Sequence, residues 1–334
     1  MKDVKVLFTD YFRPSTNEDT KVFTVLQQML AKYWNLVISP DPDFVIYSAY
    51  GCEYIKYHCK RIYFTAENHR PNFNHCDYAF SFDYPITERN YRLPWYRLHP
   101  LYEHIKLTRT VPQNFFDRKF CCFLVSNERA VERIDLFHRL SQYRRVDSGG
   151  KVLNNIGYQV GNTIEEKLDW MSQFKFSIVF ENSSYPGYTT EKLFDGFLSN
   201  TIPIYWGNPK VNLDFNPAAF INCHDFNNFD GVVAFVQALD QDPLNHAQYL
   251  HQPYLPDGKE TEFCKEENII ARFEEIFEGG KIFISPATKQ RQRVLYPVKM
   301  GKRRLTKATT QLKRIPLRIM AKGMKIVKGF TQDK

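Results

Sequence analysis

Short apolar runs recur along this chain with stretches of helical spacing between them, and that alternation limits the fold more than any other feature. VKVLFT (4–9), DFVIYS (43–48), KRIYFT (60–65) and DYAFSF (77–82) read as strands. Between the first two, Val22, Phe23, Leu26, Met29, Leu30 and Tyr33 fall on one helical face. FCCFLVS (120–126) is a fully apolar strand, and Val131, Ile134, Leu136, Phe137 and Leu140 give the helix after it an apolar stripe. Helix 163–173, strand 176–180, helix 190–199 and strand 201–206 repeat the pattern. Strands alternating with helices predict mostly parallel sheets with covering helices. The 334 residues suggest two domains, and the glycines of RRVDSGGKVLNN (144–155) place the expected boundary near residue 148. The segment 84–117, rich in Pro, Tyr and Arg, reads as loop.

Charge is distributed unevenly. The chain carries 45 Lys and Arg against 37 Asp and Glu, yet 15 of those bases and a single acid, Asp333, lie in residues 286–334, which leaves an acidic body. Leu305, Leu312, Ile319 and Ile326 recur every seven residues, among them Lys302, Arg303, Arg304, Lys313, Arg314 and Arg318. That is an amphipathic helix with a cationic face, kinked at Pro316, and it suits an anionic membrane surface. A solvated or nucleic-acid-binding tail is the alternative, and the apolar period of seven favours the membrane over nucleic acid.

Nothing at the start resembles a signal peptide, and no run of eighteen apolar residues occurs. Seven cysteines without a C-x-x-C pair suit reduced, buried thiols, and the spacing of Cys52, His58, Cys59, His75 and Cys76 fits no structural zinc site. These features predict a cytoplasmic protein, peripheral on the inner membrane face.

The segment FENSSYPGYTTEKLFDGF (180–197) follows a strand and runs into a helix, and in open α/β sheets such loops bind ligands. Free N–H groups at a helix start favour anions, with Thr189 or Thr190 as N-cap. Lys192 there can neutralise a phosphate and Glu191 can accept hydrogen bonds from sugar hydroxyls, a pairing that fits a nucleotide-sugar. Helical neighbours point in different directions, so the two are expected to diverge. No Walker A or G-x-G-x-x-G sequence is present. The competing account is a plain turn followed by a solvated first helical turn.

FENSSYPGYTTEKLFDGFLSNTIPIYWGNP closely resembles the donor-binding signature of the α1,3-fucosyltransferases of glycosyltransferase family ten, in particular its bacterial branch with the Helicobacter enzymes. KRIYFTAENHRPNFNHCDYAFSFDY and VNLDFNPAAFINCHDFNNFD extend the likeness over most of residues 1–285. The resemblance implies an α/β GT-B fold: two Rossmann-like domains facing a central cleft, acceptor-binding over 1–148 and GDP-fucose-binding over 149–285, with the basic tail at 286–334. It implies inverting transfer of L-fucose from GDP-β-L-fucose to the GlcNAc 3-hydroxyl of N-acetyllactosamine-type glycans, a Lewis X-type product. Glu67, in Thr65-Ala66-Glu67-Asn68, matches the family's general base, with Ala66 where the family often has Gly. Lys192 and Arg133 match its phosphate-binding cations, Asn182 and Tyr188 its nucleotide and phosphate contacts, and Glu191 the acid that holds the fucose. Glu181 either supports the donor or orders the loop, and Arg133 has a competing reading as a surface arginine paired with Glu132 or Asp135. No metal is required by such enzymes, although Mn2+ or Mg2+ stimulates some. The oligomeric state stays open. A transferase for another GDP-sugar, or a silent glycan-binding or membrane scaffold protein, are the alternatives.

Overall fold

The computed structural model describes residues 1–11, 21–106, 111–128 and 130–296. Two wholly parallel sheets organise them. The first has the order β2-β1-β3-β4-β5-β6, from β1 (Lys2–Thr9), β2 (Trp34–Ile38), β3 (Phe44–Tyr47), β4 (Lys60–Phe64), β5 (Tyr78–Ser81) and β6 (Asn90–Arg92). The second has the order β11-β10-β9-β7-β8, from β7 (Lys119–Phe123), β8 (Val146–Ser148), β9 (Phe174–Ile178), β10 (Ile202–Tyr205) and β11 (Ile221–Asn222). Helices α1 (Lys21–Ala31), α2 (Val131–Tyr143), α3 (Ile164–Met171), α4 (Glu191–Leu198), α5 (Phe229–Asp240), α6 (Pro243–His251), α7 (Glu266–Glu278) and α8 (Pro286–Val294) accompany the strands, and the α/β class and the two Rossmann-like halves stand as expected. β3 and β5 are buried at every position and β4 at all but Lys60, which is why they read as nearly continuous apolar runs. Edge strands β2 and β6 carry weaker patterns, and the sequence did not announce them.

The sequence boundary near 148 needs correction. β7 and α2 (Val131–Tyr143) belong to the second sheet, so the passage between domains falls between β6 and β7. The connecting segment is no idle loop. Leu93 and Leu98 pack in the core of the first sheet, while Tyr96, Tyr102 and Ile105 pack in that of the second.

The far end of the chain supplies a further correction. α7 (Glu266–Glu278) turns Ile269, Ile270, Phe273 and Ile276 into the core of the first sheet, with Phe273 stacked on Phe80 at 4.1 Å. α8 (Pro286–Val294) follows it there. Its Lys289 is buried and bonds Asp77 at 2.9 Å, and Asp77 also accepts the backbone N–H groups of Arg61, Phe283 and Ile284. The proposed basic tail therefore begins with a helix that completes the N-terminal domain. Lys302, Arg303, Arg304, Lys313, Arg314 and Arg318 lie outside the described residues. No helix among the described residues is long and apolar enough to cross a membrane.

The carboxyl ends of the two sheets face each other. Phe82, just past β5, packs edge-on against Tyr188 from beyond β9, with ring centroids 5.1 Å apart. Gly187 makes this approach possible, since it holds a φ of +87° and a Cβ there would fall 2.5 Å from the Phe82 carbonyl oxygen.

Candidate active site

The loop after β9 is built around one carboxylate. Glu181 is fully buried, and its Oε1 accepts the Thr190 N–H at 2.7 Å while Oε2 accepts the Thr190 hydroxyl at 2.7 Å and the Lys192 ammonium at 3.2 Å. Residues 181 and 190 are thereby tied together, closing the loop at its base. Burial pushes the Glu181 carboxyl above its ordinary value, and Lys192 works in the opposite direction. Of the two roles expected for Glu181, the geometry assigns its carboxylate to ordering the loop. Thr190 stands at the N-cap of α4 (Glu191–Leu198), but its hydroxyl serves Glu181 and makes no capping bond.

Glu191 and Lys192 open α4 and do not diverge as neighbours on a helix should. The lysine stem is long enough to bring its ammonium back over the helix start, 3.4 Å from Glu191 Oε1 and 2.8 Å from Thr190 Oγ1. Burial disfavours the charged ammonium, but Glu181 and Glu191 outweigh it and hold Lys192 above its ordinary value. Burial likewise works against the Glu191 carboxylate, while Lys192 and Lys167 prevail and hold it down at about 2. Both groups are charged at neutral pH and reach solvent, with 31 % and 24 % of their side chains exposed.

Arg133, in the first turn of α2, is buried rather than a surface arginine. One Nη2 donates to the Glu181 carbonyl at 2.8 Å and to Asn182 Oδ1 at 2.7 Å, while Asp135 pairs with Arg139 instead. Its buried Nε has no partner among the described residues. Lys192 and Arg133 therefore flank the same loop as two fixed cations, an arrangement that can receive a diphosphate.

Glu67 lies across the cleft, three residues past β4. Its N–H donates to Thr65 Oγ1 at 3.0 Å, and its Oε1 accepts the Tyr50 phenol at 2.6 Å. The next residue, Asn68, donates to Ser183 Oγ at 2.7 Å and so bridges the domains. Tyr188 lies between the two halves. It is buried, and burial raises its phenol, with Glu181, Glu67 and Glu191 adding to the effect, so it is neutral and can donate. All seven residues expected in the site are thus gathered around one cleft, Glu67 on the first domain and the other six on the second.

Several contributors escaped sequence reasoning. A groove of about 190 Å³ runs along the carboxyl ends of β7 and β8, lined by Ser126, Gly149, Gly150, Lys151 and Lys167. Lys167 also faces Lys192 and Asp195 in a narrow adjoining cavity and is ion-paired to Asp195. The glycine pair read as a domain boundary is part of this groove, and its place directly after a strand was the available signal. Among the described residues no group of three His, Cys, Asp or Glu is assembled that could hold a metal.

Residues 6–99 match the N-terminal domain of the α-(1,3)-fucosyltransferase FucT, and residues 117–265 match the C-terminal part of glycosyltransferase family 10 (fucosyltransferase). A crystal structure of an α1,3-fucosyltransferase with GDP is 30 % identical, with a TM-score of 0.72 over 85 % of this chain and 92 % of that one. The chain belongs to glycosyltransferase family 10. A second family structure, an α1,3-fucosyltransferase with GDP-fucose, is 29 % identical with a TM-score of 0.72, covering 85 % of this chain and 94 % of that one. The α-(1,3)-fucosyltransferase FucT of Helicobacter pylori is 32 % identical over 315 residues, which is 80 % of this chain and 65 % of that protein. This family-10 chain therefore spans slightly under two thirds of that relative's length. The two matched regions meet where the structure passes from β6 to β7, which agrees with the corrected boundary.

Proposed function

We propose that this chain is an inverting α1,3-fucosyltransferase that moves L-fucose from GDP-β-L-fucose to the GlcNAc 3-hydroxyl of N-acetyllactosamine-type acceptors. The observation that carries this reading is the placement of a single carboxylate, Glu67, across the cleft from Glu191, Lys192 and Arg133, with Tyr188 between them. The relatives, α1,3-fucosyltransferases found with GDP and GDP-fucose, support the donor.

In this reading the acceptor oxygen attacks the fucose anomeric carbon as Glu67 takes its proton, and the bond from that carbon to the β-phosphate oxygen breaks with its electron pair leaving on GDP. Lys192 and Arg133 meet the charge that builds on the diphosphate, and Glu191, held ionised, accepts hydrogen bonds from fucose hydroxyls. These cations need no metal to supplement them, so transfer is expected to persist in chelator. The segment 297–334 would hold the enzyme on the cytoplasmic face of an anionic membrane, a reading supported by its basic residues and apolar period of seven.

The test is mass spectrometry of N-acetyllactosamine incubated with GDP-fucose and the protein, beside Glu67→Gln. A deoxyhexose added by wild type and nearly lost in the variant supports the proposal. Failure to bind GDP-fucose sinks the donor assignment.

A further inference from the structure

We propose that Tyr50 is a positioning residue for transfer, holding one oxygen of Glu67 so that the other faces the acceptor; the inference rests on the reading of Glu67 as the base. Tyr50 lies three residues beyond β3, and β3 pairs directly with β4, so the loops carrying the phenol and the carboxylate leave neighbouring strands at the same edge. The phenol donates to Glu67 Oε1 at 2.6 Å, within the short range of bonds to an ionised acceptor.

The frame behind Tyr50 is rigid for reasons written in its backbone. The Tyr50 N–H donates to the Asp10 carbonyl at 3.1 Å, and the two Asp10 carboxylate oxygens accept the N–H groups of Glu53 and Tyr54, each at 2.9 Å. Asp10 sits in the left-handed region with φ of 63°, a conformation that costs free energy and is kept where surrounding contacts over-determine it. Gly51 is what lets Asp10 in, since a Cβ there would fall 1.6 Å from Asp10 Oδ1. Behind the loop, Tyr54 stacks on Tyr47 at 3.7 Å, and Tyr296 bonds Glu53. A surface tyrosine would need none of this support.

The chemistry follows from having two carboxylate oxygens. Thr65 fixes the backbone of Glu67 and Tyr50 fixes Oε1, which leaves Oε2 to receive the proton. Among the described residues, the phenols of Tyr63 and Tyr188 and the imidazole of His69, whose Nδ1 is engaged with the Tyr63 hydroxyl at 3.1 Å, also lie near the carboxylate.

Tyr50→Phe removes one oxygen and leaves the ring in place. Its kcat is expected to fall about 10-fold or more, as loss of a hydrogen bond to a charged group predicts, with KM for GDP-fucose unchanged. Gly51→Ala, which drives the loop away from Asp10, is expected to show the same kinetic signature with GDP-fucose still bound. If Tyr50→Phe matches wild type in kcat while Glu67→Gln is inactive, the role of Tyr50 is overturned and the base assignment survives. Should Glu67→Gln itself remain active, the base assignment fails and takes the Tyr50 inference with it.

Discussion

Arg92 and Asp214 form an ion pair across the two domains, 2.7 Å apart, with neither side chain exposed to solvent. Arg92 ends β6, Asp214 follows β10, and the guanidinium is covered by the rings of Tyr84 and Phe263. Burial disfavours both charges, and each is sustained by the other. Removing one partner strands the other in an apolar setting, so Asp214→Ala is expected to destabilise the protein by about 3–5 kcal/mol. Urea unfolding of the variant measures this, and a loss below about 1 kcal/mol would mean that the pair is dispensable to the closed arrangement.

In the proposed function Lys192 has two duties, which a double variant separates. Lys192→Met is expected to lower kcat/KM by at least about 100-fold, the scale of losing a fixed charge aimed at a leaving group. It also leaves the buried Glu181 carboxylate without its counter-charge. Adding Glu181→Gln should recover part of the lost thermal stability and none of the lost activity. Recovery of activity would show that Lys192 serves the loop alone.

Arg133→Lys keeps the charge but ends its side chain short of the Nη2 position that donates to both the Glu181 carbonyl and Asn182 Oδ1. The expected outcome is a rise in KM for GDP-fucose of about 10-fold or more with little change in KM for the acceptor. Initial-rate kinetics with each substrate varied in turn distinguish this from a general loss of folding.

The acid stability of the protein should carry the signature of Glu191. Its folded value of about 2 lies below the ordinary 4.5, so its contribution is fully present above pH 4.5 and is lost as pH falls towards 2. Comparing urea midpoints at pH 6 and pH 3, Glu191→Gln should show a smaller drop than wild type. An equal drop would assign the acid sensitivity elsewhere.

Truncation tests the revised start of the basic tail. Ending the chain at residue 285 removes Lys289 from buried Asp77 and should cost about 3–5 kcal/mol, whereas ending it after Tyr296 should leave the melting temperature unchanged. The second truncation is expected to abolish co-sedimentation with phosphatidylglycerol vesicles. Retained binding would overturn the membrane role of 297–334.

What could be read from the sequence was local. Buried parallel strands such as FVIY and the strand–loop–helix around Glu181 announce themselves by composition and order, Lys192 by its place at a helix start, and Arg133 was found by resemblance. The boundary was not legible because segment 93–106 alternates its apolar residues between two cores, a pattern with no period. α7 and α8 were missed for a different reason. Their apolar faces are matched by strands some 200 residues earlier, and spacing carries no information about a distant partner. Tyr50 shares that difficulty, since nothing in YGCEY announces a carboxylate seventeen positions away.

The return of α7 to the first sheet has a bearing on how the protein is made. Domains generally fold as units in the order of their synthesis, but here the first six strands emerge from the ribosome without Phe273 and Ile276, which complete the apolar cover that Leu26, Met29 and Leu30 begin. The second sheet has all of its core by residue 264, before α7 has been translated. The later-encoded domain is therefore ready to fold first, and the earlier one waits with part of an apolar face uncovered until α7 has been made. In that interval the nascent chain is open to chaperones and to aggregation, and expression yield should respond to both.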